Sequence, residues 1–378
     1  MSKRRDRGEG TIAKRADGRW TAAITLDDGR RKWFYGSTRR EVADKLAKAL
    51  NDRKQGTLLL TSERLTLGQY LATWLTSAAK PSVRPKTFVS YSGLVRNHIA
   101  PSAIAKRQLT KLNGLDIQAF LNEKLESGYS ARTVQYLHAV LRRALGQAVK
   151  WNLVPRNVAS LAAPPKVSRT KVQPLTPEQV RCFLDVAKQD RLAAVFTVAV
   201  ALGLRQGEVL GLRWQDVDLD RRTLTISFAL QRLGGGKGLA LVEPKTAESR
   251  RTIMLPDYAV AALREHRTRQ LQERLLAGDK WKDQGFVFTT RVGTPLDPRR
   301  VQSKFKKLLD QAGLPDMRFH DLRHTCASLL LAQGVPARMI MEILGHSKIS
   351  TTMDLYSHIL PTLQTEAAAK MDAVLSGN

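Results

Sequence analysis

The stretch ALGLRQGEVLGLRW, Ala201 to Trp214, emerges from RLAAVFTVAVALG (Arg191–Gly203), a run that is apolar on nearly every side. Such a run reads as a helix buried all round. Gly203 is a natural stop, since helices commonly end on a left-handed residue, a conformation glycine adopts without strain. Arg205 then sits at a tight turn beside an apolar core, where a guanidinium is costly unless paired. An ion pair with Glu208, three residues on, is one way to satisfy it; a bound anion is the other.

Downstream, HDLRHT (His320–Thr325) extends both readings. On a helix His320 shares a face with Arg323 and with His324. His320 and Arg323 can converge on a phosphate. Alternatively, His320 and His324 form the i, i+4 pair of a zinc helix, with Asp321 roughly where H-E-x-x-H has its glutamate. Arg323 argues against a metal by placing a fixed positive charge beside it, and no cysteine pattern or third ligand supports zinc. A purely structural role for the histidines is the third reading. Near the end of the sequence, LGHSKISTTMDLYSH (Leu344–His358) holds His346, Tyr356 and His358. Taken alone, a tyrosine ten residues after a histidine is a packing residue.

Charge narrows the choice. Lys and Arg number 62 against 34 Asp and Glu, a net +28 over 378 residues. An excess this large points to a polyanion, nucleic acid before anionic membrane. Residues 1–56 carry 16 basic and 8 acidic side chains and residues 57–161 carry 14 and 4, whereas 32 and 22 are spread over residues 162–378. The front half is therefore built to meet phosphates. No run of about 18 apolar residues suggests a membrane span. The basic start MSKRRDRGEG has no apolar stretch after it, so no signal peptide is expected. Two cysteines, Cys182 and Cys326, make no disulfide framework and fit a reducing cytoplasm.

Three domains are expected: 1–56, 65–161 and 175–378. In the first, Asp17-Gly18 and Asp28-Gly29 are hairpin dipeptides, and Trp20, Ala22, Ile24 and Leu26 alternate between them. The pattern predicts a three-stranded antiparallel sheet whose apolar face is covered by a helix over Thr38–Lys54, through Val42, Leu46, Ala49 and Leu50. Arg19, Arg30, Arg31 and Lys32 on that sheet are candidates for a DNA groove; solvated charges on a small folded module are the alternative. The second domain reads as four helices, the second starting at Pro85 and the fourth capped by Ser130 with a stripe of Val134, Leu137, Leu141, Leu145 and Ala148. Arg84, Lys86, Arg142 and Arg143 are its candidate DNA contacts. APPKVSRTKVQP (163–174) is the linker. The third domain is mainly helical, with TLTISFAL, GLALVEP and RTIML as one small antiparallel sheet.

The two arginines, the histidines and the tyrosine make joint sense for phosphoryl transfer to a protein hydroxyl. The transition state gathers charge on the non-bridging oxygens, which guanidinium forks bind. The same cations ease loss of the proton from a phenol of pKa ~10. A histidine can move that proton. With so many cations, no metal is required.

ALGLRQGEVLGLRW, PKTAESRRTI, HDLRHTCASLLLAQG and ILGHSKISTTMDLYSH, in this order and spacing, resemble the tyrosine recombinase (phage integrase) family. The resemblance implies that Arg205 and Arg323 clamp the scissile phosphate and that Lys245, in a turn between two strands, protonates the departing 5′ oxygen. Lys237 is the fallback for that lysine. His320 would be general base for the tyrosine and acid in the reverse step, His346 a phosphate ligand, and Tyr356 the nucleophile of a 3′-phosphotyrosyl link. Glu208 would support Arg205. His358 keeps its packing role, and Cys326 is read as packing. The front half resembles an arm-type DNA-binding sheet domain and a SAM-like helical core-binding domain. The resemblance further implies double-stranded core and arm-type DNA as partners, a homotetramer acting through a Holliday junction, and no cofactor or metal. An excisionase, a DNA-bending host factor and a place in the bacterial cytoplasm or nucleoid also belong to it. TLQTEAAAKMDAVL after Tyr356 is an amphipathic helix that packs on its own or a neighbouring subunit. Two rivals share parts of the pattern: a type IB topoisomerase, with the same chemistry, and a non-catalytic DNA-binding regulator. A separate N-terminal DNA module argues against the first, and a complete catalytic set against the second.

Overall fold

The computed structural model describes residues 10–25, 31–54, 64–168, 173–233, 238–243 and 250–345, with helical pieces at 368, 371–372 and 375–376. The chain divides into two compact units, Met1–Ser168 and Arg169–Asn378, and the division falls within the Pro- and Lys/Arg-rich stretch 163–174.

The first unit opens with β1 (Thr11–Lys14), β2 (Trp20–Thr25) and β3 (Arg31–Gly36), antiparallel in that order. Asp17-Gly18 makes the first turn, Gly18 at φ +81°, where a side chain would be strained; Asp28-Gly29 and Leu26 lie outside the described residues. Register places Ile12, Ala22 and Phe34 on one face. There α1 (Arg39–Lys54) covers them with Val42 and Leu46. One apolar face was expected, yet β2 is buried on both sides through Thr21 and Ala23. Its second side is flanked by Trp33 and Tyr35, in register with Ala23 and Thr21 and half exposed themselves.

Next come α2 (Leu67–Trp74), capped by a Thr66–Gln69 capping box, then a π-turn leading to α3 (Lys80–Ser82) and α4 (Pro85–Leu94). A second π-turn follows α4 at Val95–Ile99, and α5 (Gly114–Glu126) and α6 (Ala131–Lys150) complete the bundle. The whole predicted stripe of α6 is buried, packed in one core with Leu67, Tyr70, Leu71 and Trp74 of α2. Each such aliphatic side chain contributes about 1.5–3 kcal/mol by leaving water.

In the second unit α7 (Pro177–Ala187), with its Thr176–Gln179 capping box, packs on α8 (Ala193–Leu202). Short α9 (Gln206–Leu210) follows. After the strands come α10 (Asp257–Ala277), α11 (Pro298–Gln311), α12 (Asp321–Ala332) and α13 (Ala337–Leu344). Helix α8 is the central rod. Phe196 on it meets Phe183, Phe305 and Phe319 at centroid distances of 5.7, 5.9 and 6.2 Å.

The single predicted sheet is two. Strands β4 (Val217–Asp218), β5 (Thr223–Ile226) and β8 (Arg251–Met254) form one, while β6 (Ala229–Arg232) and β7 (Leu239–Val242) make a second, two-stranded sheet among the described residues. TLTISFAL breaks at Ser227, whose hydroxyl donates to Asp216 (2.9 Å). Beyond the break β6 packs on the glycine face of α9 and its end. A Cβ at Gly207 or Gly211 would stand 2.8 Å from the Leu230 backbone. Glycine at both positions lets β6 lie against α9 rather than continue along β5.

Candidate active site

The stop of α8 organises the site. Gly203 is left-handed (φ +59°), and a Cβ there would lie 2.3 Å from Leu344 and 3.2 Å from Cys326. The turn thus nests between α12 and α13, and glycine is needed for both conformation and space. Its carbonyl accepts Arg323 Nη1 at 2.8 Å. Arg323 is almost fully buried on α12.

Two residues on, Arg205 starts α9. Its expected ion pair with Glu208 is part of a wider network. Its Nη1 donates to Glu208 Oε1 (2.7 Å), its backbone N–H to Glu208 Oε2 (3.1 Å), and its Nη2 to the Gly345 carbonyl (3.1 Å). The Arg205 side chain nonetheless keeps over a third of its surface exposed. Glu208 is buried. Burial would raise its carboxyl, but Arg251 and then Arg205 hold it below the usual carboxylate range.

Arg251 had no role assigned from sequence. It donates from Nη2 to Glu208 Oε2 (3.2 Å) and from Nε to the Ile343 carbonyl (2.7 Å). The signal was in RTIML: strand alternation puts Arg251 in phase with Ile253 and Leu255, both buried, and in register with Ile226. A charge at an inward position of a strand needs a partner.

On α12, Asp321 is taken by Arg318, which donates from Nη2 (2.7 Å), Nε (3.1 Å) and its backbone N–H (2.8 Å). The carboxylate of the zinc reading is thereby engaged elsewhere. His320 and His324 pack edge-on, centroids 5.4 Å apart. Partial burial, then the positive neighbours His324, Arg323 and Arg205, pull His320 down to about 4, with Asp321 opposing them. His320 is nevertheless exposed to solvent. At neutral pH it is an uncharged imidazole able to accept a proton. We expect a nuclear magnetic resonance titration of the DNA-free protein to find His320 protonating well below pH 6.5; a midpoint at the ordinary value would contradict this arrangement.

Burial, then Arg205, also lowers Arg323, to about 9, with Glu208 opposing. Three guanidiniums crowd one carboxylate. That surplus of positive charge, partly open at Arg205, is a socket for an anion with several oxygens.

Comparison with known proteins agrees with this chemistry. The sequence matches the Phage integrase family over residues 173–362 and the SAM-like N-terminal domain of phage integrases over 66–125. It is 33% identical to a XerC-like tyrosine recombinase of Caldanaerobacter subterraneus, covering 90% of this chain and 91% of that one.

The chain belongs to the phage integrase family.

It is a tyrosine recombinase, with the mainly helical catalytic fold and SAM-like domain of that family. An integrase of Saccharopolyspora erythraea is 30% identical over 99% of this chain and 98% of its own length. Among solved structures, the Tn1549 transposon integrase in complex with a circular intermediate DNA superposes with a TM-score of 0.67 at 22% identity, over 77% of this chain and 95% of that one. A lambda integrase tetramer bound to a Holliday junction gives 0.56 at 17%, over 93% and 96%.

Of the residues expected in the recombinase's site, Arg205, Glu208, His320 and Arg323 come together. Lys245, with Lys237, His346, Tyr356 and His358, lies outside the described residues. In sequence Lys245 falls between β7 and β8, which among the described residues belong to different sheets. Cys326 is buried, and burial pushes its thiol up to about 12, so packing describes it; Cys182 is exposed.

The expected DNA contacts scatter. Arg19 is held by Asp17 (2.9 Å). Arg31 lies over the Trp33 ring at 5.4 Å, whereas alternation places Lys32 on the opposite face, the one that α1 covers. These two therefore do not share a groove-facing surface. Arg30 is outside the described residues. Arg84 stands at the position just before α4, and Lys86 in its first turn is exposed. Arg142 and Arg143 are exposed on α6, and Arg143 reaches the Tyr91 hydroxyl (3.3 Å) while lying over its ring. Among the described residues no helix is long and apolar enough to cross a membrane.

Proposed function

We propose that this recombinase integrates and excises a mobile element, cutting and rejoining DNA through Tyr356. The observation that carries the reading is the anion socket formed by Arg205 and Arg323 beside the Gly203 turn, with Glu208 holding Arg205 and Arg251 bracing Glu208 from behind. In the proposed reaction Arg205 and Arg323 bind the non-bridging oxygens of the scissile phosphate. The Tyr356 phenol loses its proton to His320 and its oxygen bonds to phosphorus. The bond to the 5′ oxygen breaks, that oxygen takes a proton from Lys245, and a 3′-phosphotyrosyl link remains. His346 hydrogen-bonds the phosphate. Because the link is itself a phosphodiester, attack by a 5′ hydroxyl reverses the steps, and rejoining calls on no nucleotide or metal. Residues 175–378 do this chemistry, 65–161 hold core DNA, and 1–56 hold arm-type sites. Four protomers exchange strands of two duplexes in the host cytoplasm. A separate sheet with its own small core favours this over a topoisomerase, since relaxing one duplex needs no second DNA address.

The test is a core-site duplex with a nick beside the cleavage position, incubated in EDTA: a denaturation-resistant protein–DNA adduct is expected, and its absence would sink the reading. Removing residues 1–56 should leave that adduct intact and impair integration of a donor carrying arm sites. Undiminished integration would refute the arm-domain assignment.

A further inference from the structure

We propose that Arg251 is a positioning residue for phosphate cleavage, a buried fork that fastens at one point three of the four chain segments bearing the proposed catalytic side chains. The inference rests on the reading of Tyr356 and Lys245 given above and adds to it a residue that touches neither DNA nor the reacting atoms.

The contacts close a ring. Arg251 binds Glu208 Oε2, Glu208 Oε1 binds Arg205, Arg205 binds the Gly345 carbonyl, and Gly345 lies against Arg251. The last approach is so close that a Cβ on Gly345, left-handed at φ +66°, would stand 2.7 Å from Arg251 Nη1. Arg251 also caps α13 through the Ile343 carbonyl, so two arginines of this ring hold the end of that helix. In sequence, His346 follows Gly345 directly, and Lys245 is six residues before Arg251. The ring thus joins the start of α9, the root of the segment bearing Lys245 and the root of the segment leading to His346 and Tyr356.

The side-chain type matters. One planar guanidinium donates at once to a carbonyl and a carboxylate, which a lysine ammonium, a point charge on a flexible stem, does not reproduce. The Arg251 side chain is only 8% exposed, and Glu208 compensates its burial. Removing it leaves Glu208 to Arg205 alone and frees one carbonyl at the end of α13. Arg205 keeps its charge and loses its fixed direction. The effect then falls on the chemical step, because phosphate contacts made elsewhere along the DNA still hold the duplex.

Full-length wild type, Arg251→Lys, Arg251→Met, Glu208→Gln and the Arg251→Met/Glu208→Gln double variant are compared on the nicked substrate. The readouts are DNA binding, single-turnover adduct formation at saturating protein, and thermal melting. We expect both Arg251 variants to bind core DNA as wild type does and to cleave about 10–100-fold more slowly, the usual loss when a group orienting a catalytic side chain is removed. The double variant should cleave no more slowly than the worse single one, since both act through Arg205. Cleavage by Arg251→Met at the wild-type rate, or losses that simply multiply, would overturn the inference. If Arg251→Met does not fold, Arg251→Lys decides, and a wild-type rate from it overturns the inference equally. A wild type that forms no adduct would instead bring down the Tyr356 reading, a result separable from failure at Arg251 alone.

Discussion

Tyr356→Phe is expected to form no covalent adduct on the nicked core duplex while binding that duplex as tightly as wild type. The substitution removes one oxygen and keeps the ring, so on the proposed mechanism only the nucleophile is lost. Loss of a nucleophile from a group of residues acting as a unit costs on the order of 10⁴ or more in rate. On the same mechanism the remaining cations still clamp phosphate, so affinity should not follow rate. An adduct of undiminished yield would remove Tyr356 from the mechanism, whatever the arginines do.

The second large effect separates the two arginines. Arg205→Ala should slow adduct formation on the order of 10³–10⁵, the range for a guanidinium that stabilises phosphoryl-transfer charge. It should melt only slightly below wild type: the buried Gly345 carbonyl loses a donor, but Arg205 is partly exposed and Glu208 retains Arg251 at 3.2 Å. Arg323→Ala should lose similar activity and also stability. Arg323 is buried, and its removal strips the Gly203 carbonyl of the 2.8 Å hydrogen bond at the turn that orders the site. Leaving such a buried acceptor without a donor costs about 1–3 kcal/mol. Paired rate and melting measurements test this; equal melting temperatures for the two variants would contradict the division between exposed clamp and buried brace.

These contrasts show where the sequence is legible. The helix ending at Gly203, the fourth helix of the bundle with its buried stripe, and the Asp17-Gly18 turn depend on local periodicity and on single residues with strong backbone preferences. All are read correctly from the chain. The pairing of β5 with β8 is not local. Four-residue strands carry too little alternation to choose a partner, and the two glycines of α9 that draw β6 away act through contacts invisible in strand patterns. The same holds for Lys32, whose face follows from register and not from its being next to Arg31. In the site, Arg205 with Glu208 was readable as an i, i+3 pair and Arg323 as the helical neighbour of His320. Arg251 was not, because its partners lie 43 and 92 residues away in sequence. Only the conflict between its charge and the inward phase of RTIML marked it.

The two cysteines hold a practical consequence. Cys326, packed under the Gly203 turn, is shut away with its thiol pushed far above neutral pH, while Cys182 stands in solvent on α7. A thiol-directed reagent at neutral pH meets a single address per molecule, because the thiolate is the reactive species and access decides which one is met. The native chain therefore takes one fluorophore without mutagenesis, on a helix that carries none of the residues proposed for cleavage. Synapsis, strand exchange and release can be followed by light on a protein whose own sequence is unchanged.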